Sequence, residues 1–262
     1  MRFATFTLGA IEVPVVATAV HNGHELRPEV EELMLLDADT RLREEDPFTD
    51  FFAAAFEAFA VVHRSRFEVD LNRVRDRALY SEPDDAWGLD LWRGDLPAQV
   101  RSESLRLYDQ FYADLTRLLD EVVAAHGGFV LYDLHSYNHR RGGADFATAP
   151  EAENPAVNVG TGSVPGGWNK VSGAFIEEMS RHRQGDNILD VRENVKFRGQ
   201  RLAGWVHEHY GKVACALAIE LKKTWMDEWT GTVDSTAQQE LRDALLATVG
   251  PVTEAWRSIA GQ

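Results

Sequence analysis

Two apolar runs in this chain each stop at a histidine. Val15-Val16-Ala17-Thr18-Ala19-Val20 leads into His21, and Phe129-Val130-Leu131-Tyr132-Asp133-Leu134 leads into His135. A strand without polar alternation is buried on both faces, the environment of a parallel sheet covered by helices on either side. A third run, Val213-Ala214-Cys215-Ala216-Leu217-Ala218-Ile219, ends at Glu220. From Ser102 to Ala125, Leu105, Tyr108, Phe111, Tyr112, Leu115, Leu118, Leu119 and Val122 recur at helical spacing, and Gly127-Gly128 marks the stop. A helix feeding an apolar strand predicts an α/β fold: a three-layer arrangement of a largely parallel mixed sheet with helices on both faces. Ligands in such sheets sit at the carboxyl edge of the strands, where these histidines lie.

The remaining pattern fills in around those strands. Residues 4–8, 61–62 and 67–71 read as further strands. Helices are predicted from Pro28, through 51–56, near 172–183, near 199–210 and from 235 to 259. Residues 81–98 and 137–170 read as long loops, which in a compact domain are usually functional. The length, residues 1–262, fits one domain.

Charge narrows the partners. The chain carries 42 acidic and 27 basic side chains, a net charge of −15, so no basic face for nucleic acid is expected. The same acidity argues against anionic membranes, and no run is long and apolar enough to span a bilayer. Ala17-Thr18-Ala19 superficially resembles a signal cleavage site, but Glu12 and Pro14 interrupt the apolar stretch. Cleavage there would also cut the strand that delivers His21. The lone Cys215 lies in an apolar run, which excludes an intrachain disulfide and fits a reducing compartment, taken as the cytoplasm.

Four places could carry chemistry. In His21-Asn22-Gly23-His24-Glu25 the glycine allows a tight turn, so that His21 and Glu25 can face one point, with His24 as a rival. Two imidazoles and one carboxylate make the three-ligand set of a catalytic zinc centre, which would join His21, Glu25 and His135. Asp133 shares a strand face with His135 and can orient its imidazole, although a strand-end histidine beside Ser136 can also be purely structural. The arginines and amide of Arg64-Ser65-Arg66-Phe67-Glu68-Val69-Asp70-Leu71-Asn72-Arg73 suit a carboxylate clamp, or equally a salt-bridged surface strand. Glu220 at a strand tip is costly to bury without a partner; an activated water would provide one, as would Lys222 or Lys223.

Taken in order, these pieces resemble the N-formylglutamate amidohydrolase family, which is related more distantly to aspartoacylases and zinc carboxypeptidases. The matching segments are His21 to Glu25, Ser65-Arg66-Phe67 with Asp70-Leu71-Asn72-Arg73, Asp133-Leu134-His135-Ser136, Asn158-Val159-Gly160-Thr161-Gly162, and Glu220 with Trp225-Met226-Asp227-Glu228. The resemblance implies a zinc carboxypeptidase-like fold and a Zn2+ hydrolase that cleaves a formyl-like N-acyl amide of a small carboxylate-bearing substrate. It implies that His21, Glu25 and His135 hold the metal, that Asn72 and Arg73 bind the substrate carboxylate, that Arg66 polarises the carbonyl, and that Glu220 activates water. Asp84-Asp85-Ala86-Trp87 and Arg140-Arg141-Gly142-Gly143 have no counterpart in that pattern. A zinc amidase or carboxypeptidase acting on a peptide or specialised metabolite, or a non-catalytic ligand-binding domain, are the alternative readings.

Overall fold

The three apolar runs become strands of one sheet, as their composition requires. The structure is a computed structural model that describes residues 2–199 and 201–260. Its strands are β1 (Ala4–Leu8), β2 (Val15–Ala19), β3 (Ala58–Val62), β4 (Phe129–Tyr137), β5 (Val157–Gly160), β6 (Arg183–Gln184), β7 (Asn187–Ile188), β8 (Val191–Glu193) and β9 (Ala214–Lys222). The helices are α1 (Pro28–Glu31), α2 (Ala38–Glu44), α3 (Thr49–Ala53), α4 (Ala98–His126), α5 (Asn169–Met179), α6 (Arg201–Tyr210), α7 (Ser235–Ala247) and α8 (Val249–Ala260). Seven strands form the main sheet in the order β1-β3-β2-β4-β9-β5-β8, while β6 and β7 make a separate hairpin. The central β3-β2-β4-β9 block is parallel; β1 and β5 join it antiparallel.

Successive side chains of β4 explain the three layers. Phe129 and Leu131 enter a core with Phe111, Leu115 and Leu119 of α4 and Leu202 and Val206 of α6. Val130, Tyr132 and Leu134 enter the opposite core with Phe52 of α3, Phe175 of α5, Leu241 of α7 and Trp256 of α8. Each such large side chain withdrawn from water contributes about 1.5–3 kcal/mol, so neither face tolerates a polar alternation. Gly127, at φ 82°, ends α4 in the left-handed conformation and lets β4 begin at once. Register then sets the site: His135 lies opposite Glu220, and Glu220 lies opposite Asn158 on its other side.

Three sequence-based expectations about elements are corrected. Residues 67–71 form turns, because Asp70 and Glu68 are buried and bond to the backbone of Asn72 and Arg27 rather than alternating along a ladder. The loop predicted over 137–170 contains the strand β5, which pairs with β9 on one side and β8 on the other. The C-terminal helix divides at Thr248 into α7 and α8. No helix among the described residues is long and apolar enough to cross a membrane.

Candidate active site

His21 follows β2, and His135 lies within β4, its neighbour in the sheet. Their rings sit 4.9 Å apart by centroid, both buried. The carboxylate between them is Asp46, which follows α2. Its Oδ2 lies 3.1 Å from His135 Nδ1 and 3.4 Å from His21 Nδ1. These three donors lie within 4.8 Å of one another, and all three residues are buried.

Each imidazole is held from behind by a second carboxylate. His21 Nε2 is 2.7 Å from Asp70 Oδ1, and His135 Nε2 is 3.1 Å from Asp133 Oδ2. Asp133 in turn accepts from Thr18 Oγ1 at 2.9 Å. Such carboxylate–imidazole pairs fix the ring orientation and leave the inward nitrogen free to ligate. His21 Nδ1 is a buried nitrogen with no hydrogen-bond partner, the state expected of a donor meant for a cation. Two imidazole nitrogens and one carboxylate oxygen suit zinc, and the surplus of negative charge around them favours a cation.

Electrostatics follow from that crowding. His135 is held well above its ordinary pKa, since Asp133 and Asp46 outweigh the opposing effect of burial. Burial would raise the Asp46 carboxyl, but its bond to His135 and the nearby charge of the two imidazoles hold it well below the usual carboxylate range. Glu220 faces the same cavity. Burial raises its carboxyl to about 7, with Asp46 and Asp133 adding to the rise and His135 opposing it.

The structure does not bring Glu25 to this group; the carboxylate beside the two imidazoles is that of Asp46. The cause is the backbone after His21. Gly23 and Glu25 bridge to Ser65 and Arg64, with Glu25 N donating to His63 O at 3.1 Å and Ser65 N to Glu25 O at 2.9 Å. A β-carbon on Gly23 would meet His63 C at 2.2 Å, so this close approach requires glycine. The chain is thereby carried along residues 63–65 and away from the imidazoles. His24 also lies outside the group; its Nδ1 is 2.6 Å from Glu45 Oε2.

Asp46 is fixed through the residues before it. Lys223 Nζ donates to Arg43 O at 2.6 Å and Glu45 O at 2.8 Å, Asn138 Nδ2 also donates to Arg43 O, and Ser65 Oγ donates to Glu45. Burial lowers the Lys223 ammonium to about 8. Neither lysine takes up Glu220, since Lys222 Nζ turns to Asn154 O at 2.9 Å. Asp46 carries no periodic signal in the sequence, where Asp46-Pro47 reads only as turn material.

The other expected site residues do line the cavity, a space of about 180 Å³. Arg66 is fixed by Asp70 at 2.9 Å and by Tyr80 Oη at 3.1 Å. Asn72 is buried, with Oδ1 accepting from Leu202 N at 2.9 Å and Nδ2 3.2 Å from His135 Nε2. Arg73 is bound to Asp85 rather than free.

A profile of the N-formylglutamate amidohydrolase family matches residues 13–226. Among solved structures, the N-formylglutamate amidohydrolase from Ralstonia eutropha JMP134 superposes with a TM-score of 0.72 at 17% identity, covering 99% of this chain and 100% of its own. The gene product Atu2144 from Agrobacterium tumefaciens gives 0.67 at 14% identity, with 97% and 96% covered. A metallo-carboxypeptidase from Burkholderia cenocepacia is more distant, at 0.41 and 15% identity, with 97% and 60% covered. At these identities the likeness is one of fold. No curated protein matches the chain.

Proposed function

The chain belongs to the N-formylglutamate amidohydrolase family, and from that premise we propose that it is a zinc-dependent hydrolase of a formyl-like N-acyl amide on a small molecule. The observation that carries this reading is the convergence of His21 Nδ1, Asp46 Oδ2 and His135 Nδ1, each imidazole braced from behind by a carboxylate. Zinc held by these residues would supply Lewis acidity, polarising the scissile carbonyl and acidifying a water.

The chain's own groups supply the remainder. Glu220 lines the cavity opposite His135 in the sheet, and its carboxylate accepts no hydrogen bond from another described residue, so it is available to the substrate side. It takes the proton from the attacking water and delivers it to the departing nitrogen. Arg66 stands on the same wall with its orientation locked by Asp70 and Tyr80, a fixed positive charge for the oxyanion that develops. The wall formed by Asn72 and Arg73 receives the part of the substrate remote from the scissile amide.

The second reading, an amide of a specialised metabolite or a peptide rather than N-formylglutamate itself, draws support from the pairing of Arg73 with Asp85. The deciding experiment strips the purified protein with a chelator, restores zinc, and measures formate release from a panel of N-formyl compounds alongside elemental analysis. One zinc per chain and zinc-dependent release are expected. Absence of both would overturn the reading.

A further inference from the structure

Every cationic side chain on the cavity wall already has a partner. Arg66 is bound to Asp70 and Tyr80, Arg141 lies 3.1 Å from Glu44, and Lys223 is bound to two carbonyls. Arg73 is the most completely engaged. Its Nη1 donates to Asp85 Oδ1 at 2.8 Å, its Nη2 donates to the Asp85 carbonyl at 2.6 Å, and its Nε lies 3.7 Å from Asp70 Oδ2.

Asp85 is not a casual partner. Its Oδ2 accepts from Ser81 N at 3.1 Å and Glu82 N at 3.3 Å, and Arg77 donates to its Oδ1 at 3.0 Å. It sits on the partition between the inner cavity and an outer groove of about 510 Å³; Asn72, Arg73, Asp84 and Asp85 line both. Asp84 beside it is exposed and places a second negative charge on that partition.

A substrate carboxylate seeking Arg73 would have to displace a carboxylate of the same chain, held at high effective concentration by an ordered loop. It would also approach two like charges. A carboxamide escapes both costs, because it carries no charge and does not compete with Asp85 for the guanidinium. We infer that Asp85 is a specificity-determining residue: by occupying Arg73 it makes the site prefer N-formyl substrates that present an uncharged carboxamide at this wall over those that present a carboxylate. The inference rests on the N-acyl amide hydrolase reading above.

The test compares zinc-loaded enzyme on N-formylglutamate and on its two mono-amides, amidated at the side chain or at the α-carboxyl. One mono-amide is expected to exceed N-formylglutamate in kcat/KM by about tenfold, equivalent to the displacement of one well-made ion pair. Asp85→Asn is expected to close that gap by raising kcat/KM for N-formylglutamate. A wild-type preference for N-formylglutamate over both mono-amides would overturn the inference, as would an unchanged ratio in a variant with native circular dichroism. Should Asp85→Asn fail to fold, the wild-type ratio alone decides. Should none of the three compounds be hydrolysed, the hydrolase reading falls, and binding of glutarate against glutaramide decides the inference separately. Tighter binding of the diamide supports it, and tighter binding of the dicarboxylate overturns it.

Discussion

The floor and the rim of this cavity are built differently. On the floor, His135 and Glu220 are register partners in the sheet, His21 follows the next strand over, and Asp70 and Asp133 brace the two imidazoles. The rim is made of loop residues. Trp87 takes a left-handed backbone at φ 56°, is 49% exposed, and stacks its ring under Arg66 at 5.0 Å and Arg141 at 5.6 Å. Reactive groups on buried strands gain precision from packing, whereas loops can change without disturbing the core. On the proposed reading the floor holds the chemistry, and the rim decides what reaches it.

That contrast breaks first if the floor is wrongly assigned. Asp46→Ala should abolish zinc binding and reduce turnover by about a thousandfold or more, the scale of losing a metal that polarises the substrate. Glu25→Gln should retain zinc and most of the activity. Elemental analysis of the two variants separates them, and loss of zinc from Glu25→Gln with retention in Asp46→Ala would restore Glu25 as the ligand.

The next effect in size belongs to Glu220. Glu220→Gln should keep zinc but lose turnover by roughly a hundredfold or more, the usual worth of a general base. Near-normal kcat in that variant would remove Glu220 from the reaction. Asp133→Asn should act through the metal instead. It leaves Thr18 a partner but weakens the brace on His135, so zinc affinity should fall by about ten- to a hundredfold in a competition with a chromophoric chelator. An unchanged affinity would mean that the sheet alone orients the ring.

The floor was largely legible in the sequence, and the reason is local. His21, His135 and Glu220 each stand at or near the end of an apolar strand, so the same residues that dictate the sheet also point at the site. Asp46 was not legible because its position depends on Lys223, Asn138 and Ser65, none of them near it in the chain. Glu25 lies outside the His21–Asp46–His135 group, since spacing along a turn says nothing of which backbone it will bridge. The segment 67–71 shows the same gap: its apolar alternation mimics a strand, while Asp70 is drawn inward by His21, Arg66 and Tyr80. Arg73 lines the cavity and, through Asp85, has an engagement that the sequence did not foreshadow.

The smallest effect tests whether the floor is also supported from beneath. His207 of α6 accepts a hydrogen bond from Ala216 N of β9 at 2.9 Å and lies 3.0 Å from Ser163 Oγ, tying helix and loop to the strand that carries Glu220. An accepting nitrogen must be unprotonated, and burial pushes this imidazole down to about 4. The unfolded chain, with an ordinary value near 6.5, takes up a proton that the folded chain refuses. Stability from this residue is therefore intact above pH 6.5 and is lost as pH falls toward 4. After allowance for solvent screening the loss is on the order of 2 kcal/mol. Urea unfolding at pH 7.0, 5.5 and 4.5 should show wild type losing about that much more than His207→Gln, whose side chain still offers an acceptor but cannot titrate. Parallel losses in the two proteins would mean that His207 is protonated at little cost and that β9 keeps its place without this bond.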